Sequence, residues 1–135
     1  MDAIAGQRVL YAEDHPEMQR AVGRLLKAAG ASVTVASDGL EATNKALSET
    51  FDLILMDLRM PRQNGFEAAR ALRAADCRLP LIAVTADATP VVRTNALAAG
   101  FDAVLSKPFE LSELIAAIQL VREQRAAQQR ESRSR

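Results

Sequence analysis

Two apolar runs in this chain end in acid, one ends in a threonine, and a fourth runs through a serine to a lysine. Glu13 and Asp14 follow Val9-Leu10-Tyr11-Ala12, Asp57 follows Leu53-Ile54-Leu55-Met56, Thr85 follows Leu81-Ile82-Ala83-Val84, and Lys107 comes after Ala103-Val104-Leu105-Ser106. Singly these residues are ordinary, since Asp commonly ends a strand, Thr opens turns and a Lys before Pro is usually solvated. Gathered in one crevice, three carboxylates repel one another and favour protonation unless a cation sits among them. Oxygen-only ligands suit a hard divalent ion, and Mg²⁺ takes a few carboxylates together with waters and phosphate oxygens. The chemistry is then phosphoryl transfer, which needs an in-line nucleophile, a metal ion and fixed donors for the remaining oxygens. Asp57, alone at the end of its run, is the candidate nucleophile and would form an acyl phosphate. The Thr85 hydroxyl and the Lys107 ammonium would each bind a different phosphoryl oxygen. No Ser or Cys nucleophile stands beside the sole histidine, His15, so no triad competes.

The elements that must position these groups alternate strand and helix. Arg8 to Ala12 reads as a buried strand, and His15-Pro16 then opens a helix with Met18, Val22, Leu25, Leu26 and Ala29 on one face and Gly30 at its end. A second strand over Ala31 to Ser37 alternates Val33 and Val35, and Asp38 caps the helix that carries Leu40, Thr43, Ala46 and Leu47. The third strand ends at Asp57 and leads through a Met60-Pro61 turn to a helix from about Gly65 to Ala75. Thr89-Pro90 opens the fourth helix and Gly100 closes it, while Leu111, Leu114, Ile115, Ile118 and Val121 mark the fifth. Strict alternation with apolar central strands implies a parallel sheet covered on both faces, an open doubly wound α/β fold. Ligands in such sheets bind outside the carboxyl ends of the strands, where Glu13, Asp14, Asp57, Thr85 and Lys107 all fall.

With 135 residues, 49% hydrophobic and 25% charged, the chain fits one globular domain and is neither disordered nor collagen-like. Seventeen basic residues balance seventeen acidic ones, which argues against a surface built for nucleic acid or anionic lipid. Five arginines (Arg122, Arg125, Arg130, Arg133, Arg135) against Glu123 and Glu131 make residues 122–135 a basic tail on a mildly acidic body. That tail is expected to prolong the last helix in solvent, and without interleaved aromatics nucleic-acid binding is its least favoured role. Cys77 is a lone thiol, unable to form an intramolecular disulfide, and is expected to be structural and partly exposed. Met1-Asp2-Ala3-Ile4 lacks the basic-then-apolar pattern of a leader, so a cytoplasmic protein without membrane insertion is expected.

The acidic pair Glu13-Asp14, the Leu53-to-Asp57 strand with Met60-Pro61 and Gly65 behind it, Thr85-Ala86, and Lys107-Pro108-Phe109 stand in the order and approximate spacing of a known family. Over about residues 7–121 the chain resembles the receiver domain of two-component response regulators, leaving 1–6 as an N-terminal extension and 122–135 as the tail. The resemblance implies a flavodoxin-like five-stranded parallel sheet of order 2-1-3-4-5 with five helices. It implies Mg²⁺-dependent transfer of a phosphoryl group to Asp57 from a phosphohistidine, on a sensor histidine kinase or a histidine phosphotransfer protein. By the same resemblance Glu13, Asp14, Asp57 and the backbone carbonyl of Arg59 hold the metal, Lys107-Pro108 is a cis peptide, and Arg59 and Asp87 flank the mouth of the site. These two opposite charges are expected to form a partial lid that modulates phosphoryl lifetime. The family often has an aromatic where this chain has Val104, so a small conformational readout, and phosphotransfer in preference to effector switching, is expected. No effector domain is expected after the last helix. Glu13-Asp14-His15-Pro16 and Leu105-Ser106-Lys107-Pro108 look like receivers attached to hybrid sensor kinases. Such a domain is no enzyme for a separate substrate and catalyses only its own phosphorylation and dephosphorylation. Two other readings stand beside it: a degenerate receiver that docks partners without phosphorylation, and a small aspartyl-phosphate phosphatase. His15 is expected to be an exposed helix cap, not a metal ligand.

Overall fold

A computed structural model describes residues 4–133. Met1 to Ala3, with which the expected extension begins, and Arg135 of the tail lie outside the described residues. Five strands, β1 (Arg8–Ala12), β2 (Ser32–Ala36), β3 (Leu53–Asp57), β4 (Leu81–Thr85) and β5 (Ala103–Ser106), form one parallel sheet in the order β2-β1-β3-β4-β5. Between and after them run α1 (Pro16–Ala28), α2 (Gly39–Ser48), α3 (Gly65–Ala74), α4 (Pro90–Ala99) and α5 (Leu111–Arg133). This is the flavodoxin-like architecture, with the order reversing between β1 and β3.

The pleat explains why the central strands are apolar throughout. Leu10, Ala12, Ile54, Met56 and Ala83 face one side and pack on alanine-rich faces of α2, α3 and α4. Val9, Tyr11, Leu53, Leu55, Ile82 and Val84 face the other, against Val22 and Leu26 of α1 and Leu114 and Ile118 of α5. Ile4 belongs to this second layer at 0% exposure, so the chain before residue 7 contributes to the core and is not merely an extension. A turn with Gly6 at φ 75° and a Gly6 N–H bond to the Gly30 carbonyl (2.9 Å) brings it there.

Helix ends fall where the sequence places them. Pro16 and Pro90 start α1 and α4, Thr89 Oγ1 accepts from Val92 N–H, and Gly100 closes α4 at φ 118°. Asn64 and Glu67 form a reciprocal capping box on α3. The loop between β3 and α3 is tightly held. A Cβ on Gly65 would lie 2.5 Å from the Asp57 carbonyl oxygen, and one on Gly39 would collide with the Gln63 carbonyl. Thr43 donates its hydroxyl proton to Gln63 Oε1 (2.9 Å) across the same junction.

Asp38 ties the start of α2 to that loop, accepting from Glu41 N–H (2.8 Å) and from Arg62 Nε (2.8 Å). Burial pushes its carboxyl up, but the Glu41 amide and the Arg62 guanidinium outweigh burial and hold it below the ordinary Asp range. A lowered folded-state pKa adds stability above the ordinary Asp value and loses it as pH falls through the lowered one. Asp38→Ala is therefore expected to cost about 1–2 kcal/mol near neutrality, and the gap between variant and parent in urea midpoints to close in acid. A gap independent of pH would refute the charged cap.

α5 continues unbroken to Arg133, the last described residue. Arg125 reaches back to the Arg78 and Leu79 carbonyls and to Asp102 Oδ2 (3.0 Å), which also receives Arg73 (3.0 Å) and Leu81 N–H (2.9 Å).

Candidate functional site

β1, β3, β4 and β5 end side by side, and because the strands are parallel their carboxyl ends share one edge. There Asp57, Thr85 and Lys107 line a cleft of about 170 Å³ with His15, Arg59, Ala86 and Asp87. Glu13 is 0%, Thr85 3% and Asp57 5% exposed.

Lys107 joins the two acidic strands. Its Nζ donates to Glu13 Oε1 at 2.6 Å and to Asp57 Oδ2 at 2.8 Å. One cation thus serves two buried carboxylates. Burial raises the Asp57 carboxyl, and Lys107 and the Arg59 amide only partly offset this, so Asp57 stays above the ordinary Asp range. Burial raises Glu13 too, but its bonds to Lys107 and to the His15 amide prevail and leave it below the usual value. Burial alone would lower Lys107, yet the two carboxylates hold its ammonium above the ordinary lysine value. The Lys107-Pro108 bond is cis, as the resemblance implies.

The remaining donors and acceptors fix orientation. Arg59 N–H donates to Asp57 Oδ1 (3.1 Å), and Asp87 N–H donates to Thr85 Oγ1 (3.1 Å), leaving the Thr85 hydroxyl proton for another acceptor. At the mouth, Arg59 and Asp87 side chains meet at 3.5 Å, both largely exposed. Val104, half-buried on β5, packs against the core layer of α2, α3 and α4, and its carbonyl accepts from Arg93 (3.2 Å).

One carboxylate oxygen at the site lacks a hydrogen bond. Asp14 Oδ1 is buried and accepts none, its neighbour being the His15 ring in an ion-pair contact at 3.2 Å. A buried carboxylate oxygen left bare costs free energy unless something positive meets it. Glu13, Asp14 and His15 offer ligand atoms within 4.8 Å of one another, and Asp57 shares Lys107 with Glu13; the carboxylates of this set fit Mg²⁺.

His15 is exposed at the N-cap position, as expected, but its side chain makes no cap. Its ring instead leans on Glu13 Oε2 (3.3 Å), and the two carboxylates raise its pKa. Two supporting residues escape a reading by motif. Tyr11 donates its hydroxyl proton to Glu13 Oε1 (3.3 Å), and Gln19 donates to the Glu13 carbonyl. Tyr11 reads as plain strand core, and only its polar tip two residues before Glu13 hints at more. Cys77 is half-buried against the core, away from the cleft.

A parallel sheet of this order, with acids, threonine and lysine at one edge, is the flavodoxin-like class with a polar cleft at the carboxyl ends of its strands. The chain belongs to the response regulator receiver domain family, whose model matches residues 9–119. It is 38% identical over 109 residues to the response regulator MprA of Mycobacterium avium, covering 81% of this chain and 48% of that one. The chain spans about half the length of that relative. Among solved structures, the receiver domain of the Pseudomonas aeruginosa sensor histidine kinase PA1611, with magnesium in its active-site cleft, matches with TM-score 0.77 and 38% identity. That match covers 88% of this chain and 97% of the other. The Saccharomyces cerevisiae receiver domain of Ssk1, crystallised with the histidine phosphotransfer protein Ypd1, matches at TM-score 0.76 and 29% identity over 80% of this chain and 83% of that one. No helix among the described residues is long and apolar enough to cross a membrane.

Proposed function

We propose that this domain takes a phosphoryl group onto Asp57 from a phosphohistidine of a sensor histidine kinase or a histidine phosphotransfer protein. The observation that carries the reading is the Lys107 ammonium shared between Glu13 and Asp57 beside an Asp14 oxygen that accepts no hydrogen bond. An Asp57 oxygen attacks phosphorus, the P–N bond to the donor imidazole breaks, and the imidazole nitrogen leaves with the bond pair and takes up a proton. Burial, which leaves Asp57 poorly solvated and more basic than usual, makes its carboxylate a better nucleophile. Lys107 then faces a phosphoryl oxygen, and the free Thr85 proton donates to a second. Glu13, Asp14, Asp57 and the Arg59 carbonyl would hold Mg²⁺, which when bound neutralises charge on the transferred group. A cytoplasmic location fits such donors. Incubation with Mg²⁺ and a small phosphodonor should give one acid-stable, base-labile phosphate on Asp57. No label, or label elsewhere, would refute the assignment.

Two further results are expected. Mg²⁺ should raise the melting temperature by mass action, and Asp14→Ala should remove most of that rise. Equal rises in both proteins would refute the metal site. At the mouth, the Arg59–Asp87 pair is too exposed to matter for folding, at about 0–1 kcal/mol. Its effect is steric: it narrows the approach of water to the acyl phosphate. Arg59→Ala and Asp87→Ala should each speed autodephosphorylation, with no further gain in the double variant. Unchanged rates would leave both as ordinary surface.

A further inference from the structure

Away from the cleft, α1 and the edge strand β2 enclose a groove of about 290 Å³, lined by Arg20, Gly23, Arg24 and Lys27 of α1 and Val33 and Val35 of β2. Three independent features coincide there. The first is an open hydrogen-bonding edge. Ser32 N–H bonds the Gln7 carbonyl and the Ala36 carbonyl receives Glu13 N–H, both at 2.9 Å, so Ser32 and Ala36 turn toward β1. Consecutive residues of a parallel ladder turn to alternate sides, which sends the N–H and C=O groups of Val33 and Val35 outward. The sheet order provides no strand on that side.

The second feature is charge. Arg20, Arg24 and Lys27 form one stripe on α1, all exposed, and none has a carboxylate partner among the described residues. The stripe runs about 10.5 Å along the helix, and three alternate residues of an added strand would span about 13 Å. The third is Gly23, buried in the middle of α1 with nothing within 4 Å of where its Cβ would be. Glycine inside a helix costs stability relative to alanine, and here neither crowding nor a left-handed φ requires it. Its effect is to keep the groove open.

We propose that this groove docks an extended acidic segment of a partner protein, which adds to β2 as a sixth strand. The partner's backbone pairs with Val33 and Val35, its alternate carboxylates meet Arg20, Arg24 and Lys27, and a side chain enters the notch over Gly23. A second copy of this chain is a poor occupant, because β2-to-β2 pairing would set two cationic stripes against each other. An anionic membrane would engage the charges but not the strand edge.

The test uses the whole chain and a labelled eight-residue peptide of alternating Glu and Val as probe. Binding by anisotropy is expected, with amide exchange at Val33 and Val35 slowed on addition of the peptide. Charge reversal of Arg20, Arg24 and Lys27 together should weaken binding by at least about tenfold, and Gly23→Leu should do the same with every charge kept. N-methylation of the peptide's alternate amides should abolish binding. Equal binding of the N-methylated peptide, unprotected Val33 and Val35 amides, or retention only on phosphatidylserine vesicles would each overturn the proposal.

Discussion

Asp57→Asn is expected to lose all phosphoryl acceptance while keeping or raising the melting temperature. The loss follows because the amide is no nucleophile, and no other carboxylate in the cleft can take its place. Glu13 has both oxygens engaged by Lys107, Tyr11 and His15, and Asp14 lies on the exposed side of the acidic pair. Stability moves the other way because Asp57 is held ionised against its burial. A neutral side chain of the same shape relieves that cost, and Lys107 keeps Glu13 as its partner. Labelling of the Asn variant at the parent's stoichiometry would move the acceptor elsewhere.

The second large effect is expected at Lys107. Lys107→Met removes the ammonium shared by two carboxylates that are almost wholly buried. Breaking a buried pair typically costs about 3–5 kcal/mol, an upper bound here because the stranded carboxyls can take up protons. The pH profile should tilt toward acid. In the parent the two carboxyls oppose each other, the lowered Glu13 adding stability above the ordinary Glu value and the raised Asp57 subtracting it above the ordinary Asp value. In the variant both carboxyls are raised, so stability is present in acid and is lost as pH rises through the raised values. Denaturant midpoints across pH test this, with Mg²⁺ recovering part of the loss at neutral pH. Parallel profiles in parent and variant would show that Lys107 does not neutralise the pair.

The sheet and the polar edge were legible because central parallel strands are buried on both faces and read as unbroken apolar runs. Residues such as Asp57 interrupt such a run where the strand leaves the core. Thr89-Pro90 and Gly100 mark helix ends by local chemistry that needs no tertiary contact. Other features depend on distant partners. Ile4 looks like the start of a terminal extension, and only a turn that bonds Gly6 to Gly30 carries it into the core. The apolar spacing of α5 stops at Val121, yet Arg125 finds carbonyls and a carboxylate on two other loops, which anchor the helix well past that point. The ring of His15 turning to the acids instead of capping α1 likewise depends on where Glu13 points.

The glycines at 39 and 65 carry one more implication. They let the β3–α3 loop press against the Gln63 and Asp57 backbone without any slack, and Asp38 and Thr43 pin the same loop from α2. On the opposite wall, the Thr85 carbonyl accepts from Lys107 N–H (2.8 Å) and Thr89 caps α4; between them the loop is tied by the Asp87 amide on Thr85 Oγ1, Arg93 on the Ala88 carbonyl and the exposed pair with Arg59. If Asp57 is phosphorylated as proposed, the β4–α4 wall is the one expected to give, toward α4, where Val91 and Leu97 stand exposed.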